Sequence, residues 1–409
     1  MFRTKNTKQM ISMEEKVSTP SYTLRQLVHY FFQLGYAGFG GPVALVGYMH
    51  RDLVEERKWI NEEEYRDGLA LAQVAPGPLA AQLGIYLGYV HFKTLGATLC
   101  GLAFVIPSFI MVVIIGIAYK MFGGLPWMQA IFYGVGAAVV GIIIISSYKL
   151  TEKSISKFNA KSITQNWLLW SFFIVAAVVT IITQQEEVLI FTAAGLLYMF
   201  LKAPPKWIKK PSVVNSILLF QTGFWQFELN TLGKIAWFFT KAGAFVFGSG
   251  LAIVPFLHSG VVTEYEWLTE HEFIDAVAVA MITPGPVVIT VGFIGYLVAG
   301  FPGATVAALA TFLPCYLFTI LPAPYFHKYG KDPSIKAFVD GITAAVVGAL
   351  AGAVIVIAIR TIKDIPTTLI ALATIIVLLR VKKVKEPHII LIAAVTGLVL
   401  KHFFSAVNG

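Results

Sequence analysis

The chain of 409 residues has few charged side chains: Asp, Glu, Lys and Arg make up only 13% of it, while 57% of the residues are hydrophobic. A soluble protein has about 25% charged and about 45–50% apolar residues. Together with a mean hydropathy of +0.75, this composition excludes a water-soluble enzyme. The apolar residues form long runs and not the alternating segments, about ten residues long, of an outer-membrane barrel. We therefore predict an all-α polytopic membrane protein.

Cysteine is also scarce. The two cysteines, Cys100 and Cys315, lie inside apolar runs, so the sequence predicts neither a disulfide framework nor a metal cluster. Because the sequence has no P-loop, metal-ligand set or nucleophile triad, we expect no cofactor and no ATP-driven pump within this chain. We expect residues 1–25, which carry basic residues but no apolar run, to be a cytoplasmic N-terminal segment and not a cleavable signal peptide. Basic cytoplasmic loops explain the net charge of +9 better than nucleic-acid binding does.

Apolar runs long enough to enter a bilayer, about 17–25 residues each, recur along the chain. They cover 26–49, 69–90, 96–119, 127–148, 166–183, 242–263, 276–301, 303–327 and 341–359, with shorter runs at 188–201, 213–227, 366–379 and 388–400. We predict a first transmembrane repeat at 26–201, a basic linker at 202–234 and a second transmembrane repeat at 235–409. Within the linker, 213–227 is either an extra crossing or an interfacial helix.

The two halves repeat each other at a nearly constant spacing. The first half has Gly35, Phe39, Gly40, Ala44, His50, Trp59, Glu64, Asp67, Pro76, Gly77 and Pro78; the second half has Gly243, Phe247, Gly248, Ala252, His258, Trp267, Glu272, Asp275, Pro284, Gly285 and Pro286. Shared hydrophobicity cannot produce a match with so few gaps. The sequence therefore predicts a tandem duplication.

Equivalent loops differ in their basic residues. In the first repeat, the loop near Lys120 is poor in Lys and Arg, whereas the loop at 149–161 is rich in lysine. In the second repeat, 328–336 is the richer of the equivalent loops and 360–363 the poorer. Because Lys and Arg accumulate in cytoplasmic loops, this exchange predicts two repeats of inverted topology. Such repeats need an odd number of crossings each, or an extra crossing in the linker, and the loop at 51–66 fits neither arrangement well.

Glycine and proline interrupt the apolar runs twice in each repeat. The first interruption is Gly40-Gly41-Pro42, matched by Gly248-Ser249-Gly250, and the second is Pro76-Gly77-Pro78, matched by Pro284-Gly285-Pro286. Such breaks free backbone groups, which membrane proteins tolerate only where protein or a water-lined cavity satisfies them. We predict interrupted or re-entrant helices whose N-termini favour an anion. The alternative is that the glycines only allow helices to pack closely.

Several side chains near these breaks are candidates for binding or coupling. Gln82, Thr283, Ser249 and Thr290 could donate neutral hydrogen bonds to an oxyanion. Lys241 stands where the first repeat has Gln33; it either faces the anion or extends to the membrane interface. Asp67 and Asp275 are candidates for proton coupling, although acidic residues in the first turns of a helix also compensate its dipole. Asn61 with Glu64, and Thr269 with Glu272, predict capping boxes.

The motifs Phe39-Gly40-Gly41-Pro42, Asp52-Leu53-Val54-Glu55 and Ala75-Pro76-Gly77-Pro78 resemble those of the chromate ion transporter family in its long-chain, two-domain form. The resemblance covers both repeats. It implies a prokaryotic inner-membrane secondary transporter that moves chromate outward and gives chromate resistance, with sulfate as the structural analogue. Ser249 and Gly250 replace the Gly-Pro of Gly41 and Pro42, so the two halves need not contribute equally to binding.

Other functions stay open at this point. The chain could take up sulfate or another oxyanion, or it could be an anion channel, because paired helix breaks also build selectivity filters. A membrane enzyme is a more distant alternative. The sequence also leaves a homodimer open.

Overall fold

The computed structural model describes residues 21–407 except 39–40, 123–124, 184–187, 206–229, 246–252, 330–331, 382–383 and 385, and within these residues the regular structure is entirely helical. The first repeat contains α1 (Leu24–Ala37), α2 (Gly41–Met49, continued by a π-helical turn at His50–Glu56), α3 (Glu62–Val74), α4 (Leu79–Phe122), α5 (Pro126–Ser154), α6 (Ala160–Gln165), α7 (Trp167–Thr183) and α8 (Val188–Lys202). The second repeat contains α9 (Thr231–Ala244), α10 (Val254–His258, continued by a π-helical turn at Ser259–Glu264), α11 (Glu270–Ile282), α12 (Thr290–Ile320, preceded by a 3₁₀ turn at Val287–Ile289), α13 (Ala323–Tyr329), α14 (Pro333–Thr361), α15 (Ile365–Arg380) and α16 (Glu386–Val407).

Four helical segments are long and apolar enough to cross a membrane: Leu79–Phe122, Pro126–Ser154, Val287–Phe326 and Pro333–Thr361. Shorter apolar helices accompany them in both halves. The predicted all-α, multi-pass membrane protein is therefore confirmed. Most of the linker, including 213–227, and residues 1–20 lie outside the described residues.

The duplication extends to details of local geometry. Both predicted capping boxes are present, one between Asn61 and Glu64 and one between Thr269 and Glu272. The residue two positions before each cap is Trp59 or Trp267, whose backbone N–H donates to the carbonyl of Leu53 or Val261 at 2.8 Å in both cases. Each repeat therefore folds its first helices by the same local interactions.

The segment Leu79–Phe122 is not one straight rod. A 44-residue helix would be about 66 Å long at 1.5 Å per residue, roughly twice the hydrocarbon thickness of a bilayer. The backbone leaves the helical region at Lys93 (φ 52°, ψ −146°). Gly88 then lies so close to the carbonyl of Gly96 that a Cβ would overlap it. Residues 79–92 and 94–122 therefore form a hairpin, which we call the short arm and the long arm.

The second repeat forms the same hairpin. Its turn falls at Gly300 (φ 64°, ψ −154°), and Gly295 meets the carbonyl of Gly303 as Gly88 meets that of Gly96. We call 290–298 and 301–320 the short and long arms of this repeat. A lysine thus occupies, in one repeat, the left-handed position that glycine occupies in the other.

The two long arms pack against each other in opposite directions. Near the start of the first long arm, the hydroxyl of Thr98 hydrogen-bonds to that of Tyr316 at 2.7 Å. Further along, the ring of Phe109 meets that of Phe301 at the start of the second long arm, with centroids 6.3 Å apart. Residue numbers rise along one arm while they fall along the other, so these equivalent segments are antiparallel.

The remaining long helices are exchanged between the repeats. Helix α5 packs against α15 and α16 of the second repeat, and its equivalent α14 packs against α7 and α8 of the first. Small residues allow the close approach in both places. Gly134 of α5 meets the carbonyl of Ala393, and the equivalent Gly341 of α14 meets that of Ala194. Each repeat therefore completes its packing with helices of the other.

Candidate anion site

The helix breaks at the two Pro-Gly-Pro motifs are present and buried. Helix α3 ends at Val74 and the short arm begins at Leu79; in the second repeat α11 ends at Ile282 and a 3₁₀ turn begins at Val287. Between these ends lie Pro76, Gly77, Pro78 and their equivalents Pro284, Gly285 and Pro286. Gly77 (φ 144°) and Gly285 (φ 95°) both have positive φ, which a side chain disfavours. The prolines thus end one helix and the glycine turns the chain into the next.

Each Pro-Gly-Pro break faces the long arm of the opposite repeat. A Cβ at Gly77 would lie 3.1 Å from the sulfur of Cys315, in the second long arm. A Cβ at Gly285 would overlap the Oγ of Ser108, in the first long arm. Ser108 and Cys315 are themselves equivalent positions, so the two contacts are related by the internal symmetry. The pair of breaks lies at the interface between the repeats.

A backbone hydrogen bond also joins breaks of different repeats. The N–H of Gly285 donates to the carbonyl of Gly38, at 2.9 Å, immediately before the first glycine cluster. Ser108 strengthens this junction because its buried hydroxyl donates to the carbonyl of Gly35 at 3.0 Å. Gly41 and Pro42 begin helix α2 just beyond it. Gly40, Gly248, Ser249 and Gly250 lie outside the described residues.

Gln82 is fully buried beside the first Pro-Gly-Pro break. Its Nε2 donates to the carbonyl of Pro76 at 2.9 Å, and among the described residues its Oε1 has no hydrogen-bond partner. The hydroxyls of Thr283 and Thr290, in contrast, donate to the carbonyls of Val279 and Val287. Of these three predicted donors, the two threonines already use their hydroxyl protons in hydrogen bonds to backbone carbonyls three or four residues earlier. Gln82 is the one with a free polar atom beside a break.

Asp275 and Asp67 occupy equivalent positions in different environments. Asp275 is buried, with 7% exposure, and accepts a 2.7 Å hydrogen bond from Tyr119 of the opposite repeat. Its helix, α11, is not one of the four spanning segments. Burial raises the pKa of Asp275 to about 7, against the hydrogen bond from Tyr119, which lowers it, and with a smaller contribution from Glu272, which raises it. Asp67 is only half-buried.

A cavity of about 1050 Å³ opens beside Asp275. It lies between the end of the first long arm, the start of α11 and the connection from α14 to α15. Its lining includes Tyr119, Lys120, Tyr133, His271, Glu272, Asp275, Lys363, Asp364 and Lys401. This cavity, which is lined by both charged and apolar side chains, could admit water, protons or an anion to the interface between the repeats.

Both repeats pair a histidine with the first glutamate of the helix that leads to the Pro-Gly-Pro break. His50 meets Glu62 at 2.9 Å, and the equivalent His258 meets Glu270 at 2.9 Å. In the second repeat Arg360 also reaches Glu270, at 3.1 Å. In the sequence these histidines stand out only as equivalent residues of the two repeats. Their repetition at a fixed spacing from a repeated glutamate was the signal for the pairing.

Lys241 lies on α9 with its ammonium over the ring of Trp237, 5.7 Å from the ring centroid. Trp237 is 58% exposed, so this contact is on the outer surface of the described chain. The position fits the interfacial alternative for Lys241 better than a place facing the anion.

The long apolar helices, the duplicated breaks and the buried interface between repeats define a multi-pass membrane protein built from two related halves. The family described as Chromate transporter matches residues 25–199 and 233–398, which cover both repeats. The chain belongs to this chromate transporter family. The predicted resemblance is thereby confirmed.

Similar proteins carry corresponding names. The chain is 63% identical to the "Chromate transport protein" of Cupriavidus metallidurans over 87% of this chain and 88% of that protein. It is 58% identical to the "Probable chromate transport protein" of Synechococcus elongatus over 86% of this chain and 89% of that protein. A "Chromate transport protein" of Pseudomonas aeruginosa is 27% identical over 87% of this chain and 86% of that protein. No solved structure matches the chain.

Proposed function

We propose that this protein is a secondary transporter that moves chromate out of the cell across the bacterial inner membrane and thereby gives resistance. Sulfate, which has the same shape and charge, is a second substrate. The hydrogen bond between Gly285 and Gly38 carries this proposal, because it brings breaks of both repeats into one buried junction. Transporters built from repeats bind their substrates at such junctions of broken helices.

Backbone donors suit a tetrahedral dianion at this place. Such an anion is strongly hydrated, and N–H groups at helix starts and in irregular turns can replace its water shell without side-chain charge. Each Pro-Gly-Pro break is followed by the start of a helix that lies at the interface with the opposite repeat. The two breaks are Pro76, Gly77 and Pro78 in the first repeat and Pro284, Gly285 and Pro286 in the second. Outward movement of the anion is also favoured by a potential that is negative inside, by about 2.3 kcal/mol per charge per 100 mV.

Inverted topology of the two repeats fits this cycle. The long arms are equivalent segments, and the contacts of Thr98 with Tyr316 and of Phe109 with Phe301 make them antiparallel. Repeats related by an axis along the membrane normal would place equivalent arms parallel, so an axis in the membrane plane is favoured. In such proteins the exchange of conformations between the repeats produces alternating access.

This arrangement also separates the basic residues. It assigns the loop at 51–66, Lys93, the loop after α5 and the end of α15 to one side, and Lys120, Lys363 and Lys401 to the other. The first side carries the larger excess of Lys and Arg and is therefore assigned to the cytoplasm, together with the N-terminus. The assignment requires one crossing in the linker, for which 213–227 is the candidate from the sequence.

Labelling of paired cysteines tests the topology. Thr94 and Phe301 are equivalent, exposed positions at the hairpin turns. In a variant without Cys100 and Cys315, we expect Thr94→Cys and Phe301→Cys to react with a membrane-impermeant maleimide from opposite sides of the membrane. Labelling of both from the same side would refute inverted topology.

Flux measurements test the transport proposal. Purified protein in liposomes should transport chromate, and excess sulfate should compete with it. A saturable rate far below that of ion conduction supports a carrier, whereas unitary currents in a planar bilayer would identify a channel. Chromate flux equal to that of empty liposomes would refute the proposal.

A further inference from the structure

The carboxyl group of Asp275 connects the two repeats at the wall of a cavity. Its side chain is on α11 of the second repeat and accepts a hydrogen bond, 2.7 Å long, from the hydroxyl of Tyr119 at the end of the first long arm. The residue is 7% exposed, and both partners line the cavity of about 1050 Å³. Protons in the cavity can therefore reach a group that is otherwise enclosed.

At the symmetry-related place in the molecule, the aromatic residue has no hydroxyl group. Asp67 is the equivalent carboxylate, and Phe326 stands at the position equivalent to Tyr119. Helix α13, which carries Phe326, packs on α3, which carries Asp67, so the contact between the helices is retained without the hydroxyl. The hydroxyl group by which Tyr119 binds Asp275 therefore has no counterpart at Phe326.

Other charged and titratable groups surround the same cavity. Lys120, Lys363 and Lys401 contribute positive charge, Glu272 and Asp364 contribute negative charge, and His271 contributes an imidazole ring. Tyr133 donates to Asp364 at 2.7 Å, while Arg360 and His258 bind Glu270 at the start of α11. Of the carboxyl groups that line the cavity within the described residues, Asp275 is the buried one, since Glu272 is half-buried and Asp364 is exposed.

We propose that Asp275 is a proton-binding site that couples chromate transport to proton movement, with Tyr119 as its positioning residue. This proposal rests on the proposed function. The step is a simple protonation: the carboxylate takes a proton from water in the cavity and becomes a carboxylic acid, and the Tyr119 hydroxyl keeps its own proton.

The hydrogen bond explains how the proton would act on the repeats. An ionised carboxylate binds a hydroxyl donor more strongly than a carboxylic acid does. If the first long arm moved away from α11 while Asp275 was ionised, it would leave a buried charge without its donor, which is strongly unfavourable. Protonation removes that penalty, so the repeats separate at this contact when Asp275 carries a proton.

The test combines chromate flux and proton flux in liposomes that contain a trapped pH dye. Wild type, Asp275→Asn and Tyr119→Phe are compared with two controls. Asp67→Asn changes the equivalent carboxylate, and Asp364→Asn changes an exposed carboxylate that lines the same cavity and binds a tyrosine at the same distance. Chromate flux is recorded from about pH 5.5 to pH 8.5, a range that brackets the ordinary titration of a buried carboxyl group.

We expect chromate-driven proton movement in wild type and none above the background of empty liposomes in Asp275→Asn. Tyr119→Phe removes a hydrogen bond that favours the ionised form, so the midpoint of the pH profile should move to higher pH by roughly one to two units. Both control variants should keep the wild-type pH profile. This shift in Tyr119→Phe is measurable even if Asp275→Asn does not fold.

Three results would overturn the coupling proposal: chromate flux without proton movement in wild type, an unchanged pH profile in Tyr119→Phe, or equal loss of pH dependence in Asp67→Asn and Asp275→Asn. Each of these leaves chromate transport itself intact. The absence of chromate flux at every pH would instead refute the proposed function.

Discussion

Replacement of Gly285 by alanine probes the junction of the repeats directly. Gly285 has φ 95°, where a side chain costs roughly 1–2 kcal/mol. A Cβ at this position would also overlap Ser108 Oγ and lie 3.1 Å from the carbonyl oxygen of Gly35, which adds roughly 1–3 kcal/mol for overpacking. Gly285→Ala should therefore lower the free energy of unfolding by roughly 2–5 kcal/mol.

Gly300 provides a matched control. It also has positive φ, at 64°, but nothing lies within 4 Å of a Cβ built there. Gly300→Ala should therefore cost only the backbone contribution of roughly 1–2 kcal/mol. The difference between the two variants isolates the contact between Gly285 and the opposite long arm.

A double-mutant cycle with Ser108→Ala tests the same contact from its other side. Ser108→Ala alone should cost roughly 0.5–1.5 kcal/mol, because the hydrogen bond to the Gly35 carbonyl is lost. In the double variant the overlap with Oγ is gone, so the loss should fall short of the sum of the single losses by roughly 1–3 kcal/mol. The measurement is unfolding by SDS in mixed micelles. Equal losses for Gly285→Ala and Gly300→Ala, or strict additivity with Ser108→Ala, would refute the packing described here.

Three further predictions follow from single sites. Lys93→Gly should stabilise the protein by about 1 kcal/mol in the same SDS titration. Lys93 has φ 52°, and the backbone strain of roughly 1–3 kcal/mol at such a residue exceeds the entropic cost of glycine. A loss of stability would contradict this geometry. Lys241→Gln should leave the concentration dependence of chromate uptake into inverted vesicles unchanged, since its ammonium packs on Trp237; a tenfold weaker affinity would place it at the anion. Burial raises the pKa of Glu270, but hydrogen bonds and charges from His258 and Arg360 outweigh this effect and hold the pKa below the ordinary 4.5. The stabilisation of the fold by Glu270 is therefore present at neutral pH and is lost as the pH falls below about 4.5. Thermal unfolding of Glu270→Gln should lack this part of the acid dependence.

Local interactions made much of the fold predictable from the sequence. Helix caps and helix breaks depend on residues a few positions apart, as at Asn61 and Thr269 and at Gly77 and Gly285. Because the sequence is duplicated, each of these patterns occurs twice. The separate apolar runs at 69–90 and 96–119 leave a gap around Lys93, but the positive φ of this residue was not predicted because a lysine gives no local signal for it. The glycine at the equivalent position, 300, was the available clue.

The contacts between repeats were beyond such reasoning. Tyr119 and Asp275 are 156 residues apart, and no periodicity connects them. Local contacts can also mislead a prediction from residue type. Thr283 and Thr290 were predicted as anion donors, but their hydroxyls donate to nearby backbone carbonyls. The predicted site residues Gly77 and Gly285 do reach the interface between the repeats, because the same motif in each half must face the partner half of a symmetric structure.

The exchange of helices between the repeats sets the order in which the protein can fold. Helices α7 and α8 are synthesised before α14, against which both pack, and α5 likewise precedes α15 and α16. The first half therefore enters the membrane with its glycine-lined faces still uncovered and completes its packing only when the last helices have been inserted. A chain that stops in the linker lacks those partners, so truncation there should yield an unstable product that quality-control proteases remove.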